Sequence, residues 1–364
     1  MEKENGRRFP KKGFNMKIFF RLLVLIIVVI VILFIVPDNF PLETLLQWNW
    51  KTTITNKQKE YPPLEGELPF SLNCCSGYID SYGNVRYRIN TVYKASVAQS
   101  SYIVYNQVSE VSVIFDQRGK LKGRVSLEGY PFYQDNKLFL LSPRGTNLYR
   151  VDATNGRVLW SYASNVPITR LVSQKDLVLI VTLTGNILQP SGKDLFPSIN
   201  MIQPIHSIAV SEDALRLFVY RGGENKSFGK DKETAHIYAL DDKATRQIAS
   251  FDIDDPTFSY HPAVFLDNNK VVFATHSRLY AVSQRGTVFQ KNMRGDVMSI
   301  KKLGAYILVI HRNSQNMIFS VWMYPLVRIF QMPLPENISF FAVKNDKIYL
   351  GYNKTIIQFE LIYG

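Results

Sequence analysis

Five histidines and two cysteines are the side chains of this 364-residue sequence best suited to metal or nucleophilic chemistry. His206, His236, His261, His276 and His311 never stand at a spacing such as H-x-x-x-H. Cys74 and Cys75 are adjacent, so no pair-and-pair zinc pattern can be assembled from them. The stretch GENKSFGKD (223–231) approaches a phosphate-binding loop, but it is one residue too long and carries Asp231 where a Ser or Thr must meet the cation. No G-x-S-x-G occurs, so the nucleophile elbow of that hydrolase type is missing. These residues predict no catalytic, cofactor-binding or metal-binding set, and a protein that is not an enzyme.

The elements around these residues are short. From residue 66 onward, apolar segments of five to seven residues alternate with turn clusters, and no helical period is sustained. The segments repeat as strand, acidic residue, glycine-bearing turn, strand. GYIDSYGNVRYRI (77–89), VSVIFDQRGKLKGRVSL (111–127) and NLYRVDATNGRVLWSYA (147–163) are clear copies, and HIYALDDKATRQIASFDI (236–253) and RLYAVSQRGTVFQKNM (278–293) looser ones. The residue closing the first strand of each copy falls at Asp80, Asp116, Asp152, Asp241, Ser283, Trp322 and Glu360. The steps are near 40 residues, except for an 89-residue interval after Asp152 that leaves room for one degenerate unit. Strand-only repeats of about 40 residues predict an all-β propeller over 66–364. The expected number of blades is seven, with eight as the alternative, and an N-terminal strand is expected to complete the last blade.

The unit at 147–163 resembles the repeat of the pyrroloquinoline-quinone (PQQ) dehydrogenases, through Leu148, Tyr149, Asp152, Ala153, Asn155, Gly156, Val158 and Trp160. In that superfamily the repeat is structural. The resemblance implies that Asp116, Asp152 and Asp241 bond turn amides, that Gly156 permits the tight turn, and that Trp160 packs between blades. It also implies that Cys74 and Cys75 could close a vicinal disulfide, the feature that covers the quinone in some of its alcohol dehydrogenases. Yet the tryptophan position is filled once only, its equivalents being Ser126, Ala249 and Gln290. Nor does a set of calcium-binding carboxylates with the family's motif occur. The resemblance therefore points to the non-catalytic, BamB-like branch, with no cofactor.

The formal net charge is +13. Seven cations against two carboxylates in the first 21 residues account for part of it, and they precede LLVLIIVVIVILFIV (Leu22–Val36), which has no polar residue. With Ile18 to Arg21 the run is long enough for one membrane crossing, and the basic flank predicts a cytoplasmic N-terminus. The expected organisation is a cytoplasmic basic tail (1–17), a transmembrane anchor (18–36), a juxtamembrane stalk (37–65) and the propeller (66–364). Trp48 and Trp50 fall where an interfacial aromatic belt or a short packed helix would lie.

The remaining positive charge recurs in Arg-Gly pairs. Arg118 and Arg285 occupy the same turn of different units and Arg157 falls close to it, so one face of the disc is expected to carry a basic ring. That ring suits an acidic protein, an anionic lipid or a cell-wall polymer; nucleic acid is not expected outside the cytoplasm. The expected function is a periplasmic scaffold anchored in the inner membrane that docks acidic envelope proteins through Arg118, Arg157 and Arg285. A small-molecule sensor or quinone-dependent enzyme using the central funnel is the alternative.

Overall fold

The computed structural model describes residues 45–55, 66–106, 110–190, 204–222, 233–240, 245–255, 259–314, 316–335 and 338–362. Its strands form eight antiparallel sheets arranged as a ring. Blades 1 to 7 span 68–89, 94–125, 130–163, 168–188, 205–253, 263–292 and 296–334. Blade 8 spans 338–362 and takes its outer strand from Leu45–Thr53. Blades 1 and 4 show three strands among the described residues and the others four.

The strand sequences state their depth. Second strands such as KLFLL (Lys137–Leu141), LVLIVT (Leu177–Thr182) and KVVFA (Lys270–Ala274) are continuous apolar runs, buried on both faces between neighbouring blades. Outer strands such as VFQKN (Val288–Asn292) are largely exposed. Two-residue links join several inner and second strands, with both residues at positive φ in Asp135–Asn136 and Asn345–Asp346, as a hairpin of matching twist requires.

Eight hydrophobic clusters fill the eight seams between blades. The seams between blades 5 and 6 and between 6 and 7 each bury 12 apolar residues. Among the described residues, the seam between blades 1 and 2 buries only Tyr78, Ile89 and Tyr102, with Tyr87, Val97, Val104 and Phe115 partly buried beside them. It is the thinnest wall in the ring.

Two expectations are corrected. The ring has eight blades, the alternative expectation in place of seven, because the unit beginning at residue 68 is a blade in its own right and does not share a sheet with the N-terminal strand. Part of the predicted stalk, Leu45–Thr53, is a strand paired with Thr355–Ile362, from Leu45↔Ile362 to Thr53↔Thr355. This pairing makes the expected closure, with the closing strand drawn from residues read as stalk. Ring closure wins because an unpaired third strand of blade 8 would leave buried Phe359 and Leu361 beside an open edge. The interval after Asp152 holds one blade, 168–188, as expected. The apolar run 18–36, the loop 223–232 and Asp241 lie outside the described residues. Among the described residues, no helix is long and apolar enough to cross a membrane.

The disc has two unlike faces. One, termed proximal, carries the turns between third and outer strands. It also receives Leu45, since its partner Ile362 ends the third strand of blade 8. The other, termed distal, carries the turns between second and third strands.

Candidate functional site

The acidic turns are a structural device. Asp116 accepts hydrogen bonds from the Arg118 and Lys120 amides at 2.8 and 2.9 Å. Asp80 does the same for Tyr82 and Asn84 at 2.9 and 2.8 Å, and pairs with Arg86 at 2.5 Å. Asp152 binds the Thr154 amide at 2.8 Å and the Asn155 side-chain amide at 2.9 Å. Hydrogen bonds from the threonine hold its carboxyl below the ordinary range, against a small opposing effect of burial. Each turn ends in a glycine at positive φ that presses on the outer strand of the preceding blade: Gly83 on Trp50 and Thr52, Gly119 on Tyr87, Gly156 on Arg124. Trp160 is half-buried, its ring 6.1 Å from Phe139 in the cluster between blades 3 and 4.

These turns place Arg118, Arg157 and Arg285 on the proximal face with exposed guanidinium groups that have no side-chain partner among the described residues. The first two belong to adjacent blades and Arg285 lies three blades further round, so the three do not meet at one point.

On the distal face the thin seam opens. A cavity of about 920 Å3 is lined by Cys74, Cys75, Arg88, Asn90, Tyr93 and Lys94 among others. It adjoins a second of about 640 Å3 running down the seam, lined by Tyr87, Tyr93, Tyr102, Tyr105, Val113 and Phe115. The aromatic wall is ordered: Tyr102 stacks on Phe115 at 5.2 Å, and the Tyr87 and Tyr102 hydroxyls are 3.2 Å apart. Burial, then the bond to Tyr87, pushes the Tyr102 phenol up, so it stays neutral. Val92, 95% exposed, and Tyr93 stand at the rim. Sequence reasoning missed this cleft, whose aromatics are scattered over three strands and the linker between the blades.

Cys74 and Cys75 are thiols in the structure, their sulfur atoms 3.4 Å apart, with Cys74 also 3.2 Å from the Asn353 carbonyl oxygen. Burial, reinforced by Cys74, pushes the Cys75 thiol up to about 12 despite Arg88 and Lys354 nearby. Cys75 is therefore protonated at neutral pH and is not an activated nucleophile.

A polar network lies between blades 5 and 6. Tyr220 donates its hydroxyl to Glu233, and His206 Nε2 lies 3.6 Å from the same carboxylate. Although that is ion-pair reach, Tyr220 already engages the carboxylate, and burial together with His261 lowers the His206 pKa. Asp255 accepts from the Ser277 amide at 3.0 Å and from the hydroxyls of Ser277 and Thr275. Among the described residues no group of three His, Cys, Asp or Glu side chains is placed to hold a metal ion. On the inner strand of blade 7, desolvation lowers the pKa of Lys301, and Lys302 beside it bonds Glu212 of blade 5 at 2.7 Å.

Burial also lowers the pKa of His236, His261 and His311. The unfolded chain protonates its imidazoles near pH 6.5, the folded chain only at lower pH. Below about pH 6.5 the unfolded state thus binds more protons, so this contribution to stability is complete above that value and lost on acidification. Thermal unfolding is expected several degrees lower at pH 5.5 than at pH 7.5. The difference should shrink in His236→Gln/His311→Gln; an unchanged slope would remove these histidines from the account.

The sequence model of one family, described as beta-propeller protein, matches residues 12–227, more than half of the chain. This chain is a beta-propeller protein. No curated protein matches the sequence of this propeller protein. Among solved structures, the propeller is similar to BamB from Moraxella catarrhalis at 14% identity and TM-score 0.61, covering 88% of this chain and 99% of that one. It is similar to the C-terminal WD40 domain of Sif2 at 12% identity and TM-score 0.58, again covering 88% and 99%. The WD40 domain of Toxoplasma gondii coronin matches at 8% identity and TM-score 0.51, covering 74% and 80%. At these identities the likeness is one of fold.

Proposed function

We propose that this propeller protein is a non-catalytic scaffold, held by one N-terminal membrane span on the extracytoplasmic side of a bacterial inner membrane, and that it docks a partner in the cleft between blades 1 and 2. The observation that carries the reading is the thin seam. Among the described residues this seam buries the fewest apolar side chains and leaves an aromatic wall along a cavity of about 640 Å3, against about 240 Å3 at the seam between blades 3 and 4. A wall of tyrosine and phenylalanine is the composition of an interface core, where rigid rings supply area at small entropic cost. Arg88 and Lys94 on the rim select an acidic flank. The fitting occupant is an extended segment of an envelope protein with bulky apolar side chains beside a carboxylate.

A photo-crosslinking residue at Val92 of the full-length membrane protein tests this. The expected result is one defined envelope-protein adduct that disappears in Lys94→Glu and in Tyr102→Ala and is not formed from Val158 on the proximal face. If Val92 captures nothing while calcium with quinone raises the unfolding temperature, the scaffold gives way to the enzyme.

A further inference from the structure

The chain enters the ring at one place, and that place has an orientation. Leu45 lies at the proximal end of the outer strand of blade 8. Eight residues, 37–44, separate it from the end of the apolar run at Val36. Fully extended, eight residues reach about 28 Å, little more than the length of one blade strand at about 3.3 Å per residue. A tether this short holds the proximal face towards whatever surface the apolar run is embedded in. The distal face can be turned inward only if the tether runs fully extended past the edge of the disc.

The composition of the proximal face agrees with that placement. On its outer rim the carboxylates of Asp80, Asp116 and Asp152 are engaged with their own backbone amides and Arg118, Arg157 and Arg285 are exposed, whereas the exposed acids at this end, Asp135, Asp176, Glu212 and Asp346, lie in the turns between inner and second strands. Arg118 with Lys120 is followed by exposed Leu121, Arg157 by exposed Val158, and Arg285 shortly by exposed Val288. Trp48, 55% exposed on the closing strand, and Tyr82, 77% exposed in the neighbouring turn, flank the point where the chain arrives. Among the described residues, exposed apolar side chains occur at this edge in blades 6, 7, 8, 1, 2 and 3, on both sides of the point where Leu45 enters. Aromatic side chains at the rim and basic residues among apolar ones are the composition of a surface resting at lipid headgroups.

We infer that the proximal face lies against the membrane, with Trp48, Tyr82, Leu121 and Val158 in the headgroup layer and Arg118 and Arg157 on anionic phospholipid. The inference rests on the anchor proposed above. It assigns these arginines to lipid and leaves the cleft, on the opposite face, open to the partner.

Hydrogen exchange on the full-length chain in phosphatidylcholine vesicles, with and without phosphatidylglycerol, tests it. Amides of the turns at 81–84, 117–120 and 153–157 are expected to exchange several-fold more slowly with phosphatidylglycerol present, and to return to the lipid-free rate at molar salt. Arg118→Glu/Arg157→Glu should lose that protection, by about fivefold for each cation removed, with an unchanged unfolding temperature. Arg144→Glu, on the distal face, should keep it. Turns that exchange equally in both lipids would overturn the docking. Alkaline carbonate separates the two readings: a chain that stays in the vesicles with unprotected turns loses only the docking, whereas a chain washed off loses the anchor and the docking together.

Discussion

A chain lacking residues 1–54 is expected to fail to form the closed ring, while one lacking residues 1–43 unfolds at the temperature of the full-length protein. The strand removed in the first case pairs along its length with Thr355–Ile362 and is the only cover for that edge of blade 8 among the described residues. Trp50 locks it to blade 1, where its indole donates to the Ser81 carbonyl at 2.9 Å and Gly83 packs against it, and within blade 8 its ring is 6.1 Å from Tyr349. Trp50→Ala should act as a partial version of the truncation, costing about 3 kcal/mol, the low end for a large aromatic because the ring is only half-buried. Urea denaturation followed by circular dichroism measures all three. Retention of a single cooperative transition by the shorter chain would show that the ring does not depend on this strand.

Gly156→Ala and Gly286→Ala should differ more than about twofold in cost, although both glycines occupy the same turn of their blades at nearly the same φ, +82° and +84°. Each substitution pays about 1–2 kcal/mol for a Cβ in left-handed backbone. At Gly286 nothing lies within 4 Å of the added carbon, so the cost ends there. At Gly156 the carbon would collide with the backbone carbonyl of Arg124, which cannot rotate aside, and the seam between blades 2 and 3 must part. Overpacking of this kind adds about 1–3 kcal/mol. At about 2–4 °C per kcal/mol for a domain of this size, Gly156→Ala is expected to lower the unfolding temperature by about 10 °C and Gly286→Ala by less than half of that. Equal losses would mean that the turn, and not its seat on the neighbouring blade, sets the requirement for glycine.

That seat explains why the fold was legible. The Asp-to-Gly spacing recurs because each turn must both satisfy its own amides and fit the preceding blade, so it survives where strand sequences drift. Asp80, Asp116 and Asp152 mark equivalent turns for this reason. The closing strand was harder to see. QWNWKT alternates as a strand should, but it follows an apolar run and two tryptophans there read equally well as an interfacial belt. A bulge between Trp48 and Trp50 then sends one ring to solvent and the other into the seam. The cleft left no mark at all: Tyr87, Tyr93, Tyr102, Tyr105 and Phe115 have no common spacing, and what distinguishes them is the burial that their seam lacks. The arginines were legible as a repeated turn feature, but the face they share with the arriving chain depends on the direction of a strand read as stalk.

The closing strand also determines how the disc responds to force. A pull on the chain from its N-terminal side enters at Leu45 and runs along the axis of that strand, parallel to its neighbour. The hydrogen bonds between the two are then strained together, in shear, instead of being peeled one after another. A partner tugging on the distal face while the N-terminus is held would load this ladder first. The same strand that completes the ring is thus the mechanical link between its two faces, and its rupture would open the circle at one chosen blade while the other seven remain paired.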